Sequence, residues 1–148
     1  MITENPKAAV GARKGPMSVV SELVLAEVGL AMLEGALKYG RHNYRATDIQ
    51  ASTYFDAFRR HIRSWWEGED IDPGSGLPHI TKAIACLVVL RDAQINGRYI
   101  DDRPPKGPDG FFDEIDRMAA EIIDRYAGRE VMHYTQLGME RDADTAAE

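Results

Sequence analysis

One cysteine in 148 residues, Cys86, allows no internal disulfide and supplies no second thiol for a zinc knuckle, so a reducing compartment is expected. No apolar run approaches the roughly 20 residues needed to cross a bilayer, and the opening stretch MITENPKAAVGARKG lacks the apolar centre of a secretory signal. A cytoplasmic protein with no membrane partner is the expectation. Positive charge is scarce too. The formal net charge is -6, which disfavours a protein that tracks nucleic-acid phosphates through a basic face. A negatively charged small substrate would then need metal ions or a local basic patch. Internal repeats and useful period-two alternation are also missing, which leaves an all-α bundle as the fold.

The residues present are those of a globular chain, 44% hydrophobic and 28% charged, and the length suits one domain with a real core. Residues 1–16 mix Gly, Pro, Lys and Ala without periodicity and read as a flexible arm. A helical core follows over 17–105, then a C-terminal helix and flank over 106–137, then a disordered tail over 138–148. About four helices are predicted. The first spans 18 to 39, with Ser18 as N-cap and Gly40 as terminator, and is apolar nearly all round. The second spans 48 to 67 with the seam Tyr54, Phe58, His61, Ile62, Trp65, and Gly68 ends it. The loop GEDIDPGSGLP leads to a third helix from His79 to about residue 96. The fourth, 111 to 126, carries Phe112, Ile115, Ala119, Ile122 and Tyr126 on one face.

Three clusters could carry chemistry. Glu27 lies among apolar neighbours on a helix expected to be central, and a buried carboxylate needs a metal, a cation or a raised pKa. Glu34 shares its face but also forms an ordinary i, i+4 pair with Lys38. Glu69, Asp70 and Asp72 crowd a loop bounded by glycine and proline, between His61 and His79; with Glu27 opposite, such oxygens suit Mg²⁺ or Mn²⁺. Lys38, Tyr39, Arg41, His42, Asn43, Tyr44 and Arg45 form a basic, aromatic turn able to grip phosphates and stack a base. Each cluster has a plainer reading: an arginine-paired glutamate, satisfied core histidines, an exposed polar connection.

The segments KYGRHNYR, RHIRSWWEGEDIDPGSGLPH and DAQINGRYIDDRPP, in this order and spacing, resemble the phage dATP/dGTP diphosphohydrolase N-terminal domain family, over roughly residues 14–105. That family is similar to the all-α nucleoside triphosphate pyrophosphohydrolases, in which carboxylates on facing helices hold Mg²⁺ around a triphosphate. The resemblance falls on Lys38, Tyr39, Gly40, Asn43, His61, Trp65, Gly68, Glu69, Asp72, Ser75, Gly76 and His79, and on Asp101 to Pro104. Two positions depart from the pattern: Gly74 stands where an acidic or polar residue is expected, and Lys82 where a second histidine often follows His79.

Together these imply metal-dependent hydrolysis of a deoxynucleoside triphosphate to monophosphate and diphosphate, with the dATP/dGTP preference resting on the resemblance alone. Glu27, Glu69 and Asp72 are the expected metal ligands, and His61, Glu69 and His79 the catalytic candidates. Lys38, Tyr39, Asn43, Arg45, Arg60, Trp65 and Lys82 are the candidates for the nucleotide. A homo-oligomer is implied as well, because pyrophosphohydrolases of this kind often assemble and the apolar fourth helix offers a surface. The host cytoplasm would be the compartment of a phage-encoded chain. Two alternatives predict different behaviour: a module that binds or sequesters nucleotide without turnover, and a helical interaction protein whose acidic loop merely caps helices.

Overall fold

The computed structural model describes residues 5–139. The chain is mostly helical, as expected, and divides into two compact units, residues 1–102 and 103–148. No described helix is long and apolar enough to cross a membrane.

In the first unit the expected arm contains a short helix, α1 (Pro6–Gly11), capped by the Asn5 side chain accepting from the Lys7 amide. The long first helix starts later than its sequence suggested. Residues Met17–Val19 form a 3₁₀ turn, and α2 (Glu22–Tyr39) begins behind Ser21, whose hydroxyl accepts from the Val24 amide. It ends at Gly40, where φ of 98° takes the chain into a region open to glycine. A four-residue helix, α3 (Asn43–Ala46), follows His42, the one non-glycine residue with positive φ (60°) among those described.

The second and third expected helices are α4 (Ala51–Trp66) and α5 (His79–Ile95), which form the closest helix pair, with α2 packed on α5. Asp48, expected to open α4, instead precedes a two-residue strand, β1 (Ile49–Gln50), which pairs in parallel with β2 (Tyr99–Ile100). A ladder this short leaves no alternation to detect. Asp102, just beyond β2, accepts from the Ser52 backbone amide at 2.8 Å and so satisfies a donor at the start of α4.

The core sits where β1 meets α5. Ile49, Val89 and Ala93 are buried, with Met32, Tyr44, Tyr54, Leu90 and Tyr99 packed against them. Ala93 is fully enclosed, so a larger side chain would have to displace its neighbours. Ala93→Leu is expected to cost about 1–3 kcal/mol, read from the midpoint of urea unfolding followed by circular dichroism.

The second unit contains α6 (Phe111–Arg125), started by Gly110 in the left-handed region. Its polar side is laced by Arg117, which donates to Glu114 and Glu121. Phe112, Ile115, Ile122 and Tyr126 are exposed, so the expected apolar face exists and is uncovered. The tail expected over 138–148 lies outside the described residues from 140 onward; the Gly138 amide donates to the Thr135 hydroxyl.

Candidate functional site

The loop between α4 and α5 folds back on itself. Ile71 and Pro78 form an antiparallel bridge, the Asp72 amide donates to the Leu77 carbonyl at 2.9 Å, and the Gly76 amide donates to the Asp72 carbonyl at 2.8 Å. The turn at its tip, Pro73-Gly74-Ser75-Gly76, needs Gly76 at a φ of 71°. Asp72 clamps that tip. Its carboxylate accepts from the Ser75 hydroxyl at 2.6 Å, the Gly74 amide at 3.3 Å and the Lys82 ammonium at 3.0 Å. These donors, Ser75 foremost, hold the Asp72 carboxyl far below the usual carboxylate range.

Lys82 lies one turn into α5 and reaches across to α2 as well, donating to Glu34 at 2.9 Å. Burial alone would lower its pKa; the bonds to Glu34 and Asp72 outweigh that and raise it, so it stays charged. Glu34 also accepts from Lys38, and these two cations hold its pKa down, Lys38 first. The i, i+4 pair read from the sequence is therefore half of a larger network: Lys38, Glu34, Lys82 and Asp72 form one chain of alternating charge from α2 through α5 to the loop.

A second chain runs alongside. His79 is 4% exposed at the start of α5; its Nε2 lies 2.9 Å from Glu69 Oε2, and its Nδ1 lies 2.8 Å from His61 Nδ1 on α4. One of those two Nδ1 atoms must carry the shared proton. Burial, aided by the Lys82 and His79 charges, pulls the His61 pKa below the ordinary histidine value. His61 is thus neutral near pH 7, oriented by His79, which Glu69 orients in turn. Unfolding frees His61 to take up a proton near its ordinary value of 6.5, so the unfolded state binds more protons just below that pH. Stability is expected to fall as pH drops from 6.5, and melting curves of the wild type and His61→Gln between pH 5 and 8 should show a smaller decline in the variant.

Beside both chains opens a cavity of about 440 Å³, a size usual for small-ligand sites, lined among others by Lys38, Tyr39, Asn43, Tyr54, His61 and Lys82. The basic, aromatic turn read from the sequence thus forms one wall. Tyr54 and Cys86 form an apolar side; burial pushes both pKa values up, so the thiol stays protonated and unreactive.

Of the expected nucleotide residues, Lys38, Tyr39, Asn43 and Lys82 line this cavity, and three do not. Arg45 spends its guanidinium on Asp92 of α5, with Nη2 2.7 Å from Oδ1. Arg60 lines a separate depression on α4 with Asp56, Arg59, Ile62, Arg63 and Trp66. Trp65 packs edge-on against Trp66.

Glu27 corrects the expectation of a buried carboxylate: it is exposed, because the face of α2 it borders is itself uncovered, and it accepts from the Thr81 hydroxyl at 2.8 Å. Glu27, Glu69 and Asp72 therefore have three different partners, and among the described residues no three His, Cys, Asp or Glu side chains are gathered to hold a metal ion. Mg²⁺ usually keeps several waters and binds through one or two carboxylates plus substrate phosphates; Glu27 and the half-exposed Glu69 are solvent-accessible carboxylates, and neither lines the cavity. Sequence reasoning missed Thr81, and it weighed Glu34 as a solvated partner of Lys38; the only hint for Glu34 was its place two turns after Glu27.

A dATP/dGTP diphosphohydrolase of Salmonella phage PMBT28 is similar, 30% identical over 90 residues, which is 61% of this chain and 30% of that protein. The match thus spans less than a third of the relative. No solved structure matches. The model of the family described as dATP/dGTP diphosphohydrolase, N-terminal, matches residues 4–103, which contain both charge chains and the whole cavity lining, and the chain belongs to that family.

Proposed function

We propose that this chain hydrolyses purine deoxynucleoside triphosphates, dATP and dGTP, to the monophosphate and diphosphate in a magnesium-dependent reaction. The observation that carries the reading is the cavity, which brings the Lys38–Tyr44 turn against a neutral histidine backed by a second histidine and a carboxylate. The purine preference rests on the family's description and on the relative's name.

Lys38 and Asn43 bind phosphate oxygens at the cavity wall, and Tyr39 or Tyr44 stacks on the base. His61 takes the proton of the attacking water. His79 holds the ring of His61 in the tautomer that leaves a nitrogen free to accept, and Glu69 stabilises the charge that then develops on the pair. Glu27 and Glu69 are the residues that would hold Mg²⁺ together with the phosphates. When bound, the ion neutralises phosphate charge and makes the water more acidic. Lys82, itself on the cavity lining, and Asp72 tie the loop to α2.

One observation favours a second reading. Lys82 places an ammonium between Glu34 and Asp72, and no three-ligand metal cluster is present among the described residues, which would suit a module that binds nucleotide without turnover. Incubation of the protein with each of the four dNTPs, with Mg²⁺ and with a chelator, followed by pyrophosphate detection, separates the two. The hydrolase reading expects pyrophosphate from dATP and dGTP that disappears with the chelator; saturable nucleotide binding with no pyrophosphate would establish the binding module instead.

A further inference from the structure

Three arginines on the outer face of α4 take no part in the proposed reaction. Arg59, Arg60 and Arg63 are exposed and open, with Asp56, Ile62 and Trp66, onto a depression of about 500 Å³ that shares no lining residue with the nucleotide cavity. Arg45, Arg98 and Arg117 are spent on carboxylates, whereas among the described residues these three form no ion pair. One carboxylate, Asp56, faces three guanidiniums. The depression is therefore positive on a chain whose formal net charge is -6. Arg59, Arg63 and Trp66 stand four and three residues apart, so each lies one helical turn from the next. The Arg59 guanidinium sits 6.0 Å from the centre of the Phe55 ring, which steadies it against the helix. Trp66 is 77% exposed, a large indole surface left in water at the edge of the depression.

We propose that this depression is a second nucleotide site, at which Arg59, Arg60 and Arg63 hold the phosphates of a nucleoside triphosphate and the Trp66 indole stacks on its base. Guanidiniums meet phosphate oxygens as two-pronged donors and keep their charge at any working pH. An exposed indole offers a face on which any base can stack. The size fits a mononucleotide, since the volume is in the range usual for small-ligand sites. A longer nucleic-acid strand would need the positive stripe to continue. It does not: α4 ends at Trp66, and Glu67, Glu69 and Asp70 follow. His61, two residues from both Arg59 and Arg63, lies about half a turn round the helix and lines the cavity on the other side, so the two sites can be filled together.

The α4 site does not depend on the proposed reaction, and titration calorimetry keeps the two apart. The 148-residue chain, titrated with a non-hydrolysable dATP analogue, is expected to show two sites per chain. The double variant Arg59→Ser, Arg63→Ser, both exposed, should keep its helical circular dichroism and show one. Trp66→Leu should raise the Kd of the α4 site about tenfold through the lost stacking, while Lys38→Ala, a change in the cavity wall, leaves that Kd as it is. Two sites that both survive the double variant overturn the inference, as does the absence of binding. A single site that survives the double variant also overturns it and leaves the hydrolase reading standing. A single site that the double variant abolishes supports it and removes the nucleotide from the cavity. Binding of a single-stranded oligodeoxynucleotide at the arginines, with none of the analogue, would make the patch a nucleic-acid contact and sink the proposal.

Discussion

Replacing His79 with alanine is expected to lower kcat by roughly 10²–10⁴, the range usual for a positioned acid or base and its support. His79 touches both members of its chain, with one ring nitrogen toward His61 and the other toward Glu69. Alanine leaves His61 unoriented and Glu69 without its partner, so the loss falls on kcat rather than on KM. Because the side chain is almost fully buried, the variant also loses packing. His79→Gln is the control that keeps volume and one hydrogen-bonding end. Steady-state pyrophosphate release with dGTP measures both, and a His79→Ala variant with wild-type kcat would remove the relay from the mechanism.

The second large effect is expected at Asp72. Asp72→Asn keeps the shape but removes the charge that meets Lys82, Ser75 and Gly74. Stability should fall by about 1–3 kcal/mol, the usual consequence of leaving a partly buried polar group without its partner. Turnover should fall roughly 10²-fold as the loop loosens from α2. The pH dependence has a definite sign. The folded-state pKa of Asp72 is depressed, so its contribution to stability is fully present above the ordinary carboxylate value of 3.8 and is lost as pH falls below it. Urea unfolding at pH 7 and at pH 3 should show a wild-type advantage over Asp72→Asn that shrinks at the lower pH. An advantage that stays constant would mean that Asp72 acts through shape alone.

Much of this arrangement could be read from the chain in advance. Helix ends were legible where glycine imposes them, as at Gly40 and Gly68, whereas the serine cap was misplaced by three residues, from Ser18 to Ser21, and the acidic loop stood out because glycine and proline enclose four carboxylate or hydroxyl groups. The turn from Lys38 to Tyr44 was legible as a basic, aromatic cluster, and it lines the cavity.

What stayed hidden were pairings between distant residues. Nothing local tells Lys82 to choose Glu34, 48 positions away, or Arg45 to choose Asp92. Arg45 therefore looked like a phosphate ligand when it is spent on a carboxylate. Glu27 misled for another reason. A helix that is apolar all round reads as buried all round, yet many of α2's apolar side chains are exposed, and so is Glu27 although it meets the buried Thr81 of α5. The parallel pairing of Ile49–Gln50 with Tyr99–Ile100 is too short to leave a periodic signal.

The central question is whether this chain turns over a nucleotide at His61. The 148-residue chain with dGTP and Mg²⁺ can be followed by ³¹P NMR, beside His61→Gln under the same conditions. Turnover at His61 gives dGMP and pyrophosphate in equal amounts over many turnovers for the wild type, and a variant that binds dGTP but leaves it intact. A wild type that binds dGTP and returns it unchanged, at enzyme concentrations equal to substrate and over many hours, would contradict that role.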